Sequence, residues 1–191
     1  MANTGKICKH LHIPLQSGDD TILKKMNRPY RTAEFKALVG KIRAIMPKIA
    51  ITTDVLIGFP GETDEYFRNS VAFLKDIAPA RTHVFTYSRR PGTLAYDMPG
   101  GVVPSVAKER FSRMSMVARE CACAFKQEFI GKTLEVLVES KRDKVSGMLT
   151  GYTDNYIDVL FSGPDSIIGS IVPIKIASVD KNNTIGVYNG K

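Results

Sequence analysis

The backbone at Gly58 is the first place where this chain can do chemistry. Asp54-Val55-Leu56-Ile57-Gly58-Phe59-Pro60-Gly61-Glu62-Thr63 joins an apolar, β-branched run to a glycine–proline turn. Gly58 has no Cβ, so a flat ligand can approach its main chain. Two imidazoles, His10 and His12, stand on one face of the alternating run His10 to Gln16. They suit either a site or a satisfied position near a core. The three cysteines, Cys8, Cys121 and Cys123, cannot make a disulfide framework. Cys121 and Cys123 are two apart in a helical pattern, so they do not share a face and read as filler rather than as a metal pair.

A second chemistry is electrostatic. The net charge is +8. Residues 1–48 carry ten basic groups against three acidic ones, whereas the other 143 residues are nearly balanced. A one-sided basic block containing Lys24, Lys25, Arg28 and Arg31 favours a polyanion such as RNA; its plain alternative is a solvated helix face. A phosphate at the helix start after Thr63 is the weaker reading, because Glu62, Asp64 and Glu65 would repel an anion.

The elements that must position these groups follow from periodicity. His10 to Gln16 alternates with period two and predicts a strand, with His10, His12, Pro14 and Gln16 on one face and Leu11, Ile13 and Leu15 on the other. Pro14 requires an edge or irregular position. Ser17 to Asp20 signals a turn and cap, followed by a short helix from Thr21 to Met26. A second helix is expected from Thr32 as its cap, with Phe35, Leu38, Val39, Ile42, Ile45 and Met46 as the stripe and Pro47 ending it. Ile49 to Ile57 reads as a parallel strand covered on both faces. Thr63 caps a third helix, with Phe67, Val71, Leu74 and Ile77 on one face. Thr82 to Tyr87 is a third strand. This alternation predicts an α/β parallel sheet with right-handed crossovers, its loops gathered at the carboxyl ends of the strands where such folds bind ligands.

After Gly100-Gly101, a long helix from Pro104 to Phe129 carries Phe111, Met114, Ala118, Cys121, Phe125 and Phe129 as a stripe. The pattern changes at Gly131. Leu134 to Val138, Met148 to Tyr152, Tyr156 to Phe161, Ser170 to Ile176 and Thr184 to Val187 are short strands between turn residues, as in a small antiparallel β-barrel. The expected domains are 1–129 and 130–191. Met1 to Lys6 lacks a signal-peptide apolar region, and no apolar run approaches the ~20 residues of a membrane span, so a cytoplasmic protein is expected.

His10 to Gly18, Met26-Asn27-Arg28, Asp54 to Thr63 and Tyr87 to Thr93, in this order, resemble the MiaB/RimO-type methylthiotransferases, which are radical S-adenosylmethionine enzymes. His83-Val84-Phe85 before Tyr87-Ser88 is most similar to the branch acting on threonylcarbamoyladenosine in tRNA. The tail from Gly131 resembles the TRAM domain, an RNA-holding barrel. The resemblance implies the second half of a radical SAM (β/α) barrel followed by TRAM. It further implies S-adenosylmethionine and two [4Fe–4S] clusters in the parent enzyme. One cluster reduces S-adenosylmethionine, a 5′-deoxyadenosyl radical removes hydrogen from an adenine carbon, and the second cluster supplies sulfur. The family's Cys-x-x-x-Cys-x-x-Cys loop and its three N-terminal cluster cysteines have no counterpart in this sequence, so the chain is expected to be a piece of such an enzyme, inactive alone, with no catalytic or metal-binding residue of its own. The cofactor wall implied here is Gln16, Ser17, Asp54, Gly58, Phe59, Pro60, Glu62, Phe85 and Tyr87. Glu62 either braces the loop through backbone N–H bonds or only supports the turn, and Asp54 orients neighbours or is plainly structural. Implied tRNA contacts are Lys24, Lys25, Arg28, Arg31, Arg89, Arg90, Lys141, Arg142 and Lys144. Implied partners are tRNA and the missing N-terminal portion, and open sheet edges invite self-association. A non-catalytic RNA-binding module and a piece of a ribosomal-protein methylthiotransferase remain the alternatives.

Overall fold

The computed structural model describes residues 6–190. They form two compact units: residues 11–47 with 51–122, and residues 6–10 and 48–50 with 123–190.

Strands β1 (His10–His12), β2 (Ala50–Ile57) and β3 (Arg81–Thr86), which apart from His10 and Ala50 belong to the first unit, form one sheet in that order. Strands β2 and β3 are parallel, with Asp54 opposite His83 and Leu56 opposite Phe85. The helices α1 (Asp20–Lys25), α2 (Thr32–Ile45) and α3 (Asp64–Ile77) lie between the strands in sequence. The expected first strand stops early. Pro14 has no N–H to donate, and the ladder is bridged instead by Thr53, whose buried hydroxyl donates to Ile13 O (2.7 Å) and accepts from Leu15 N–H (2.9 Å). Pairing resumes at Gln16, which bonds Asp54 O and Leu56 N–H from a left-handed conformation (φ 69°).

Asp19 caps α1 by accepting from the N–H groups of Thr21 and Ile22. Arg31, not Thr32, is the cap position of α2. Its N–H is taken by Glu34 (2.8 Å), and Thr32 N–H goes to Asp20 (2.8 Å). The α2 stripe is narrower than expected. Phe35 and Val39 are buried, whereas Leu38 and Ile45 are 45% and 67% exposed. At 100° per residue these two fall on the edge of the stripe. Thr63 caps α3, taking Tyr66 N–H at 3.3 Å, and Phe67, Val71, Leu74 and Ile77 are all buried as the spacing predicts. Helix α4 (Pro104–Gln127) follows. Its buried line within this unit is Ala107, Arg110, Met114, Val117, Ala118 and Cys121, while Phe111 is left 36% exposed.

The second unit is a closed barrel of β4 (Thr133–Arg142), β5 (Leu149–Thr153), β6 (Asp158–Phe161), β7 (Ile171–Val179) and β8 (Thr184–Tyr188), in the order β4-β5-β6-β8-β7. The expected antiparallel pairing holds except between β6 and β8, which are parallel. Phe129, Val136, Val138, Leu149, Ile157, Val159, Phe161, Val172, Ile174 and Ile176 fill it. Gly151 and Gly186 admit this packing: a Cβ on either would stand 2.4 Å or less from the side chain of Val136 or Ile174.

Candidate functional site

Strand β2 ends at Ile57, and the chain turns through Gly58 (φ 77°) and Gly61 (φ 83°), a conformation that favours glycine. The turn is fastened by Glu62. Its carboxylate accepts Gly58 N–H at 2.9 Å and Arg110 Nη1 at 2.9 Å, and the same Arg110 nitrogen donates to Glu62 O. Arg110 Nη2 reaches Asp64 at 2.5 Å. Glu62 and Arg110 expose only 2% and 8% of their side chains. Burial pushes the Glu62 carboxyl above its usual range, against the pull of Gly58 N–H and the Arg110 cation. The side chain therefore braces the loop by a backbone N–H bond, and ties it to α4.

Phe59 is buried beneath this turn and meets Tyr87 edge-on, with ring centroids 5.3 Å apart. Tyr87 O–H donates to Ala95 O at 2.9 Å, which fixes the ring. Above lies a cavity of about 410 Å³ lined by Gly58, Tyr87, Arg89, Val102, Ala107 and Phe111, among others. It sits at the carboxyl ends of β2 and β3, and its size suits a nucleoside. A Cβ on Gly58 would approach Ala107 Cβ to 3.3 Å, so glycine also admits the close passage of α4.

Of the residues expected to form a cofactor wall, Gly58 and Tyr87 line this cavity, with Phe59, Pro60 and Glu62 building the turn under it. The others lie apart. Ser17 is buried, with its hydroxyl engaged by Ser70 Oγ and Asp19 N–H at the start of α1. Gln16 serves the ladder through its backbone. Asp54 accepts from His12 Nε2 at 3.2 Å, and His12 Nδ1 meets Thr52 Oγ1 at 3.0 Å. Phe85 lies on the same sheet face as Asp54, 52% exposed and beside His83. Arg110, Val102 and Phe111 were missed as site residues. Arg110 left one signal, a cation within the apolar line from Ala107 to Cys121.

Among the expected RNA contacts, Lys24, Arg28 and Arg31 line a surface pocket of about 650 Å³ that also contains Asp20 and Glu34. Lys25 passes over Gly61. Arg89 and Arg90 are exposed on the loop after β3, and Lys141 and Lys144 are exposed on the barrel. Arg142 has a structural task. It pairs with Asp165 (2.6 Å) and donates to the carbonyls of Gly147 and Gly163. Cys8 is exposed, Cys121 is buried and Cys123 is half-buried, and the described residues hold no group of three His, Cys, Asp or Glu placed for a metal ion. They do not fit a [4Fe–4S] cluster, whose irons need several converging thiolates. No described helix is long and apolar enough to cross a membrane.

Comparison with known proteins places these features. The radical SAM superfamily model matches residues 1–74, and the TRAM domain model matches residues 127–186. A tRNA-2-methylthio-N(6)-dimethylallyladenosine synthase of Pelotomaculum thermopropionicum is 36% identical over 99% of this chain and 42% of its own length. The threonylcarbamoyladenosine tRNA methylthiotransferase MtaB of Bacillus subtilis is 40% identical over 90% of this chain and 38% of its own. The chain thus spans about two-fifths of the curated relatives it matches. Coproporphyrinogen III oxidase HemN of Escherichia coli, described as a radical SAM enzyme, aligns with a TM-score of 0.51 over 76% of this chain and 39% of its own, at 14% identity, a likeness of fold alone.

Proposed function

We propose that this chain, which matches the radical SAM superfamily model over residues 1–74 and the TRAM domain model over residues 127–186, forms part of a tRNA methylthiotransferase acting on a modified adenosine. The observation that carries this reading is similarity over nearly the whole chain to enzymes named for that reaction. S-adenosylmethionine, when bound, supplies the adenosyl group for radical chemistry and the methyl group. Gly58 and Tyr87 would border its adenosyl part, and the Glu62–Arg110 tie holds the Gly58 turn in place. Phe59 supports the Tyr87 ring from below. Arg89, on the rim of the cavity, offers a planar cation to phosphate or base.

In this reading two [4Fe–4S] clusters are held by residues of a longer enzyme, the isolated chain is inactive, and the setting is cytoplasmic. The barrel and the basic groups of α1 hold tRNA. A second reading, an RNA-binding module without chemistry, is favoured by the scattered cysteines. Deleting the gene and weighing the nucleosides of total tRNA by mass spectrometry separates the two. Loss of a methylthio-adenosine, whose mass also identifies its N6 substituent, is the expected result. Unchanged tRNA nucleosides would leave only the binding module.

A further inference from the structure

A second cavity, of about 380 Å³, lies along the edge strand β3 and the middle of α4. Its lining includes His83 and Phe85 from β3, Phe111, and two arginines, Arg81 and Arg119. His83 and Phe85 are two apart on one face of the strand. Their rings form a stacked pair, with centroids 6.4 Å apart and planes inclined by 26°. Phe85 is 52% exposed, although burying such a ring is ordinarily favourable.

The charge lining the cavity is one-sided, although Asp54 stands opposite His83 on the same sheet face. Neither Arg81 nor Arg119 forms an ion pair among the described residues, and no carboxylate lines the cavity. The depression by α1 contains Asp20 and Glu34, and the one around Arg110 contains Asp64 and Glu109.

An aromatic pair and two guanidinium groups without ion pairs together match one chemical class. The base stacks and the phosphate takes the arginines. We propose that the β3–α4 cavity holds one unpaired nucleotide of single-stranded RNA, with its base on His83 and Phe85 and its phosphate at Arg81 and Arg119. This rests on the RNA-binding reading above. It also moves Phe85 from the cofactor wall to the RNA, with Phe111 shared between the two cavities.

The test is fluorescence anisotropy of the full chain with a labelled eight-nucleotide single-stranded RNA. Competition arms use adenosine monophosphate and S-adenosylmethionine. Phe85→Ala should weaken binding roughly tenfold with an unchanged salt slope, because stacking carries no counterions. Arg119→Ala should weaken binding and lower the log–log salt slope by about 0.7. Both side chains are exposed, so the variants should melt as the parent does. Wild-type affinity in both, while Lys141→Ala with Lys144→Ala loses binding, would overturn the cavity and leave the RNA reading standing. No RNA binding by the parent chain would overturn both. Equal competition by free adenosine monophosphate, or displacement by S-adenosylmethionine, would assign the cavity to a small nucleotide instead.

Discussion

One unit of this protein closes its sheet and the other leaves a face open, and their side chains divide accordingly. In the barrel every strand has a neighbour on both sides, and the inward positions are apolar apart from Thr153 and Thr184. The three-stranded sheet is covered on the side of Ile51, Thr53, Val55 and Ile57. Its other face carries His12, Asp54, His83 and Phe85, all wholly or partly accessible. A closed barrel needs only packing to be stable. An open sheet face retains polar and aromatic groups at the expense of burial, and these are the groups available to a ligand. Substitutions in the barrel interior should therefore act on stability, and those on the open face on binding.

The largest expected effect tests the closed unit. Phe161 is fully buried in the barrel core, and Phe161→Ala removes most of that side chain. A loss of about 3–5 kcal/mol is expected, with the barrel's amide protection in hydrogen exchange collapsing while that of β2 and α3 persists. Equal loss of protection in both units would show that they fold as one cooperative body and would end the comparison.

The next effect belongs to the Gly58 turn. Arg110→Ala leaves the buried Glu62 without its cation, a change that costs about 3 kcal/mol for a buried pair. Its pH dependence has a defined sign. Glu62 already binds its proton more tightly folded than unfolded, and losing Arg110 strengthens that preference. A raised folded pKa means that the native state holds more protons, so stability falls as pH rises from the ordinary glutamate value through the raised one. Chemical denaturation should find Arg110→Ala closest to the parent at acidic pH and furthest from it near neutrality. A deficit that does not change with pH would show that Arg110 acts through packing against Phe67 rather than through Glu62.

The regular elements were legible because apolar spacing carries them: α3 shows its buried face at Phe67, Val71, Leu74 and Ile77. Thr63 as a cap was legible for the same local reason. The features that were not legible all depend on partners distant in sequence. The exchange of Arg31 for Thr32 at the α2 cap turns on Asp20, twelve residues away from the threonine. The Arg110–Glu62 tie spans 48 residues. The parallel contact of β6 with β8 follows from barrel closure rather than from either strand's own pattern. The Gly58 turn and the long helix α4 could each be found from local sequence, whereas the placement of that helix over the turn could not.

The smallest expected effect sharpens the comparison on the barrel's own surface. Lys141, Arg142 and Lys144 stand together in sequence, but the fold gives them different tasks. Arg142 is bonded to Asp165 and to the carbonyls of Gly147 and Gly163, joining the β4–β5 turn to the segment after β6. This pair is well exposed, so Arg142→Ala should cost no more than about 1 kcal/mol of barrel stability. Its guanidinium is occupied, so removing it should barely alter the salt dependence of the proposed RNA binding. Lys141 and Lys144 make no ion pair among the described residues, and their chains are exposed. Lys141→Ala with Lys144→Ala should leave the melt unchanged and lower the salt slope by roughly 0.7 for each phosphate no longer neutralised. Anisotropy titrations at several salt concentrations, run beside thermal melts, read both quantities from the same variants. If Arg142→Ala flattens the slope while the lysine pair does not, the guanidinium leaves Asp165 to meet RNA, and the barrel's surface then follows the logic of the open sheet face rather than that of a closed scaffold.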